Sequence, residues 1–300
     1  MLESFYQIPG FENKKINKAV FDEFRCLIVT HELDNFVKAY KLGEEDKSLN
    51  VFMEIETNNK VVIDLKISSY LNHTYLLVVF MDACAVLYDL DKQSKEPCFE
   101  YQFNQNPDVF FTSAVFIEFS SKILRFAIAT NFGSVIVFDS SNGFKELVLN
   151  IRNESISLIS SSNNGEIFVN CQNGDRFIYS DFTFSNFIEI PISSINESIF
   201  VDAKFSPITN TNSFNFVSIL LNNELTIWKY NTTLSLIEKD YEKITKDENI
   251  GFSWSLSGLS LNLVKKTDNK YISENYLQDP FQNDIWRILI KDLKELNSYF

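Results

Sequence analysis

Short apolar runs separated by polar tight turns recur along the chain, and one unit repeats: an apolar strand, a polar turn, then a second strand ending in an aromatic side chain. The clearest copy runs from Phe216–Leu220 through Leu221–Asn223 into Glu224–Trp228, with the aromatic twelve residues after the first strand residue. The same offset recurs in Leu76–Phe80 to Tyr88, Phe126–Thr130 to Phe138 and Ile167–Cys171 to Tyr179, while Cys26–Thr30 reaches Tyr40 through a turn two residues longer. Each copy predicts a β-hairpin whose strands are apolar on both faces, as strands buried between layers are. Asn173–Gly174 and Asn222–Asn223 supply residues that tolerate positive φ in such turns.

The anchors Tyr40, Tyr88, Phe138, Tyr179 and Trp228 are 48, 50, 41 and 49 residues apart, the length of a four-stranded propeller blade. Upstream of four anchors, runs ending in Ile67–Ser68, Phe119–Ser120, Ile159–Ser160 and Phe205–Ser206 read as innermost strands. Downstream, Val51–Ile55, Cys98–Phe103, Leu147–Ile151 and Phe187–Ile192 read as outer edge strands, with one buried and one wet face. The expected fold is all-β: a single six- or seven-bladed β-propeller of four-stranded antiparallel blades over residues 1–300, with blade units near 14–57, 58–104, 110–152, 154–192, 198–242 and 250–300. Such a blade exposes both apolar faces until neighbours cover them.

The ends are open to more than one arrangement. Trp254–Ser257, Leu259–Val264 and the turn Thr267–Lys270 suggest a sixth unit without a clean anchor. Asp284–Leu296 reads as a strand running into a short C-terminal amphipathic helix, and Ser4–Ile8 is an alternative outer strand for the last blade. The charged segments Leu42–Asn50 and Glu238–Glu248 are expected to be exposed loops.

Val201–Pro207 leading to Thr226–Lys229 resembles the core of the WD-repeat β-propeller family, in which a V-x-x-x-F-S-P strand precedes an I-x-I-W-D strand. The likeness in pattern covers roughly residues 20–265. No Gly-His dipeptide and no Trp-Asp pair occurs; Tyr88–Asp89 and Phe138–Asp139 are the nearest substitutes. With only His31 and His73, the family's buried His–Asp–Ser/Thr–Trp hydrogen-bond tetrad cannot repeat blade by blade. Stability must then rest on apolar packing, consistent with 29 Phe residues, each contributing about 2–3 kcal/mol if fully buried. The resemblance implies a non-catalytic platform for other proteins.

Composition narrows the function classes. The net charge of −13 repels phosphate backbones and anionic lipid, so neither direct nucleic-acid binding nor a membrane role is expected; the densest basic cluster, Lys14, Lys15 and Lys18, is short. No apolar run approaches the roughly 20 residues that span a bilayer, and the N-terminal residues lack a secretory pattern, so an intracellular location in nucleus or cytoplasm is expected. On that expectation the sequons at Asn72, Asn153, Asn196 and Asn231 carry little weight. Cys26, Cys84, Cys98 and Cys171 share no CxxC spacing, and three lie in apolar strand contexts, as small buried hydrophobes do.

No G-x-S-x-G elbow, P-loop, G-x-G-x-x-G or H-E-x-x-H motif occurs, so no catalytic residue, cofactor or metal is expected. His31 and His73 read as turn residues, Asp89 with Asp91 as a solvated pair, and Asp139 as an acceptor of backbone N–H groups in a turn. The expected role is a scaffold that binds other protein subunits in a multiprotein complex through loops at one rim and exposed strand edges. Alternatives are an accessory subunit of a nucleic-acid-handling complex and a propeller hydrolase with a carboxylate site in its channel. Candidate contacts are Phe132, Phe182 and Phe184, in or beside loops, and Leu293, Leu296 and Phe300 near the C-terminus.

Overall fold

A computed structural model of the chain describes residues 16–22, 25–32, 34–42, 49–70, 72–92, 94–104, 106–117, 123–191, 199–207, 215–231, 233–244, 247–254, 260–267, 270–278 and 286–291. It is all-β, and among these residues there are six four-stranded antiparallel sheets, the blades of a six-bladed β-propeller. Each sheet follows chain order from first to fourth strand. Blade 1 is β1 Ile16–Asp22, β2 Leu27–Glu32, β3 Phe36–Leu42 and β4 Leu49–Glu56; blade 2 is β5 Val62–Tyr70, β6 His73–Phe80, β7 Cys84–Asp89 and β8 Phe99–Gln102. Blade 3 is β9 Phe111–Phe116, β10 Arg125–Thr130, β11 Ser134–Asp139 and β12 Leu147–Asn150; blade 4 is β13 Ile156–Ser161, β14 Ile167–Cys171, β15 Arg176–Tyr179 and β16 Phe187–Glu189. Blade 5 is β17 Phe200–Phe205, β18 Asn215–Leu221, β19 Glu224–Asn231 and β20 Leu236–Ile244; blade 6 is β21 Glu248–Trp254, β22 Ser260–Thr267, β23 Lys270–Gln278 and β24 Trp286–Lys291. Two compact units share this chain, the first ending at Phe116 and the second beginning at Ile117.

Burial follows strand position. The middle strands β2, β7, β10 and β14 are buried at every residue, which is why they are mostly apolar, whereas β8 alternates between half-buried and exposed. In the first unit one core joins Val29 and Val37 of blade 1 to Leu65, Leu76 and Val78 of blade 2. In the second unit Phe168 and Ile178 of blade 4 pack with Val217, Trp228 and Tyr230 of blade 5, and Leu220 and Ile227 pack with Phe252 and Leu261 of blade 6. Within blade 3 the Phe126 and Phe138 rings stack with centroids 4.9 Å apart.

A bulge near the start of the first strand recurs in five blades, at Ile16/Lys18, Val62/Asp64, Ile156/Leu158, Phe200/Asp202 and Asn249/Gly251. A bulge turns the strand and re-aims the side chain beyond it. In blade 2 that side chain is Asp64, which accepts hydrogen bonds from Leu65 N at 3.0 Å and from Ala114 N at 2.9 Å. Blade 5 has Asp202 there, and both aspartates pair with the lysine two residues on, Lys66 and Lys204, each at 3.3 Å. Lys204 also donates to Phe252 O at 2.7 Å, and Trp254 Nε1 donates to Lys204 O at 3.4 Å. These D-x-K pairs therefore serve the seams between neighbouring blades within a unit.

Several expectations from sequence are corrected. Glu238–Glu248 is not a loop: most of it lies in β20, an outer strand wet enough to carry charge on both faces, with Lys229 paired to Glu238 at 3.3 Å across the ladder. His31 is not a turn residue, because β2 continues through it and buries it, which lowers its pKa. Asn222 and Asn223 do not adopt positive φ; the turn is held by Asn222, whose backbone N–H donates to Ile199 O and whose Oδ1 accepts from Ile199 N. Of the cysteines, Cys84 and Cys171 are buried but Cys26 and Cys98 are exposed, and all four are free thiols. The fourth strand of the last blade is β24, and the first strand of blade 3 is β9. Ser4–Ile8, Phe119–Ser120, most of Leu42–Asn50 and the C-terminal segment carrying Leu293, Leu296 and Phe300 lie outside the described residues.

Candidate functional site

In blades 2, 4 and 5 the turn between the second and third strands is hydrogen-bonded to the segment that enters the first strand. Met81 N donates to Val61 O in blade 2, Gln172 N to Ser155 O in blade 4 and Asn222 N to Ile199 O in blade 5, at 2.8–2.9 Å. Large apolar side chains are exposed in turns and entering segments of this kind. In the first unit Val61 is 58% exposed, Met81 48% and Phe110 40%. Beside them Lys60 pairs with Asp82 at 3.1 Å and lies over the Phe80 ring. In the second unit Phe132, at the tip of the β10–β11 turn, is 50% exposed and Ile199 is 69% exposed.

A cleft of about 420 Å³ is lined by Asn150–Glu154, Cys171, Asn173 and Asp175. Gly133 positions it: its carbonyl accepts both Ile151 N and Arg152 N at 3.1 Å. The Arg152 guanidinium is drawn away from water, 3.5 Å from the Phe177 ring centroid and 4.5 Å from that of Phe187, and its Nε and Nη2 are buried without a hydrogen-bond acceptor. Burial pushes the Cys171 thiol up to about 11; Arg152 opposes this while Asp175 and Glu154 add to it, so both carboxylates act on the sulfur at the cleft wall.

Of the contact candidates from sequence, Phe132 is exposed at the β10–β11 turn, but Phe182 and Phe184 are not free. Phe182 lies 3.7 Å over the Arg125 guanidinium, whose Nε donates to Asp139 at 3.0 Å. Phe184 is buried against Tyr179, with centroids 5.0 Å apart, on a backbone with φ of 54°. Asp139 accepts from Ser141 N at 2.8 Å, as expected of a residue closing a turn. Sequence reasoning missed Arg152, Glu154 and Asp175, because nothing in the local sequence marks charges from two separate connections as lining one cleft. It also missed Val61 and Met81, although an apolar residue at a turn tip is itself a signal.

In the first unit His73, Asp89 and Asp91 bring ligand-type atoms within 4.8 Å of one another. Their carboxylates are already engaged. Asp89, buried rather than solvated, accepts from Asp91 N at 3.1 Å, bonds His73 Nδ1 at 3.0 Å and pairs with Lys92 at 3.5 Å. Asp91 accepts from Thr74 N and pairs with Arg25 of the β1–β2 turn. The chemistry of this donor set is that of a polar pin between blades 1 and 2.

Burial pushes the Asp89 carboxyl up, but the bond and charge of His73, the Asp91 N–H and Lys92 outweigh it and hold the pKa below the usual range. A depressed carboxylate stabilises the fold above its unfolded pKa of about 3.9, and that contribution is lost as pH falls through the lower folded value. We predict that Asp89→Asn lowers stability at pH 7 and that the gap to the unsubstituted protein narrows below pH 4. Denaturant unfolding across pH 3–7 checks this, and a gap independent of pH contradicts it.

Neither a known protein family nor a curated protein matches the chain.

Proposed function

We propose that the chain is a non-catalytic β-propeller scaffold that binds other protein subunits of an intracellular multiprotein complex, in nucleus or cytoplasm, and that its blades are divergent WD repeats. The repeat assignment is supported by blade order and spacing and by the Val201–Pro207 and Thr226–Lys229 segments, which fall on β17 and β19. The observation that carries the scaffold role is the exposure of Val61, Met81 and Phe110 in the first unit. Exposed apolar side chains gain by being covered, and a polar surround such as the Lys60–Asp82 pair is what rims protein interfaces. The net charge of −13 disfavours a phosphate backbone as the partner.

Affinity purification of the tagged chain from its source cell tests this. The unsubstituted chain is expected to recover stoichiometric protein partners. A Val61→Asp, Met81→Asp double variant that retains the circular dichroism of the fold is expected to lose at least one of them. Elution of the unsubstituted chain alone at both low and high salt, or recovery unchanged by the double variant, overturns the role assigned to this end of blade 2.

A further inference from the structure

We infer that the outer edge of blade 3 receives an extended segment of a basic partner protein, which adds as a strand alongside β12 and places a Lys or Arg side chain in the cleft beside Arg152. The inference extends the scaffold reading and rests on it for its biological sense; the surface and the partner chemistry are new.

The first observation is the edge itself. β12 is the last strand of its sheet, paired on one side to β11, and no described strand pairs with its other side. Its Leu147 is 48% exposed and Val148 37%. Outer strands carry unpaired backbone donors and acceptors, and proteins ordinarily block them with charge. Blades 1, 2, 4 and 5 do so with Glu54 and Glu56, Glu100, Glu189, and Glu238 with Lys239. β12, Leu-Val-Leu-Asn, has no charged residue. It is therefore the described outer strand best suited to accept another strand, with main-chain bonds giving affinity and side-chain pockets giving choice.

The second observation says what the added strand must carry. Beyond Asn150 the edge runs directly into the cleft. Arg152, the one cation lining it, turns its guanidinium onto the Phe177 and Phe187 rings. Glu154 is exposed and Asp175 half-buried, so the charge presented to a visitor is negative. At the other end of β12, Lys145 and Glu146 are adjacent and offset each other. A second copy of this chain would bring another −13 to the same place, whereas a basic segment is attracted. Apolar residues of the segment would cover Leu147 and Val148, and a cation would meet Glu154 and Asp175.

The test uses the purified full chain and fluorescence anisotropy with a labelled eight-residue peptide of alternating valine and lysine. Its counterpart of alternating valine and glutamate serves as one control, and the valine–lysine peptide N-methylated at alternate backbone nitrogens as another. The valine–lysine peptide is expected to bind at least tenfold more tightly than either control. A Leu147→Asn, Val148→Asn variant is expected to weaken it at least tenfold, and a Glu154→Gln, Asp175→Asn variant to weaken it and flatten its salt dependence. Equal binding of the N-methylated peptide overturns strand addition, and equal binding of the glutamate peptide overturns the charge assignment. Sedimentation showing a dimer that the Leu147→Asn, Val148→Asn variant dissolves assigns the edge to a second copy and also overturns the inference. The Val61→Asp, Met81→Asp variant should bind the peptide unchanged, so failure here and failure of the blade 2 surface are separable.

Discussion

Replacing Gly133 by alanine is expected to destabilise the protein by about 2–5 kcal/mol, far more than the same replacement at Gly143. Both glycines have the left-handed backbone, with φ of 75° and 73°, so both variants bear the roughly 1–2 kcal/mol that an L side chain costs there. They differ in what a methyl group would meet. At Gly143 nothing lies within 4 Å; at Gly133 the new carbon would stand 2.3 Å from Arg152 O, 2.7 Å from Arg152 C and 2.7 Å from Glu154 O. These are backbone atoms, fixed by the bonds that Ile151 and Arg152 make to the Gly133 carbonyl, so relief requires the connector into blade 4 to move. Overpacking of this kind costs about 1–3 kcal/mol beyond the conformational term. Urea unfolding midpoints of the two variants at unchanged m-value measure the difference; equal losses would mean that the connector shifts freely. Because the same connector lines the cleft, Gly133→Ala should also weaken the valine–lysine peptide.

The blades were legible in the sequence because of where their middle strands sit. Residues 76–80, 126–130 and 167–171 are covered on both faces, so the chain is apolar there at all but Thr130 and Asn170, and the turn and aromatic that follow recur at constant spacing. What escaped was whatever burial does not enforce. β20 is wet enough to hold Glu238, Lys239 and Glu242 in a strand, so its composition is that of a loop. The bulges were equally silent, since the residues beyond them, Lys18, Asp64, Leu158, Asp202 and Gly251, share no side-chain chemistry. The D-x-K pair at Asp64–Lys66 and Asp202–Lys204 was visible in the letters, but its use between blades is a property of packing.

Of the exposed apolar residues only Phe132 was legible, whose place in the β10–β11 turn leaves it 50% exposed. Phe182 and Phe184 sit in a similar loop yet are taken up, one by the Arg125 guanidinium of blade 3 and the other by the nearby Tyr179 ring. Arg152 reads as a surface charge until Phe177 and Phe187, 25 and 35 residues away in sequence, are brought against it. Non-local partners decide such residues, and a single chain of letters does not name them. The edge of blade 3 is intermediate: the lack of charge in residues 147–150 is plain in sequence, but it acquires meaning only when β12 proves to be last in its sheet.

Glu166→Ala is expected to cost about 2–5 kcal/mol, because the carboxylate is the shared acceptor at the seam between blades 4 and 5. Glu166 is buried immediately before β14 and accepts from Ser162 Oγ at 3.0 Å, Asn215 Nδ2 at 3.1 Å and Tyr230 Oη at 2.6 Å. Burial and the adjacent carboxylate raise the Tyr230 pKa well above its ordinary value, so the phenol keeps its proton and acts as a donor. Removing the acceptor leaves the buried Tyr230 and Ser162 hydroxyls with that bond unmade, at about 1–3 kcal/mol each, and costs the half-buried Asn215 its partner as well. Tyr230→Phe is the milder cut, near 1 kcal/mol, since Asn215 and Ser162 still serve the carboxylate. The double variant should then cost less than the two single losses combined, with a coupling of about 0.5–3 kcal/mol. Denaturant unfolding of all four proteins closes this cycle. Strict additivity would mean that the Tyr230 hydroxyl finds water or another acceptor once Glu166 is gone, and that the seam is held by the Phe168, Val217 and Ile219 packing alone.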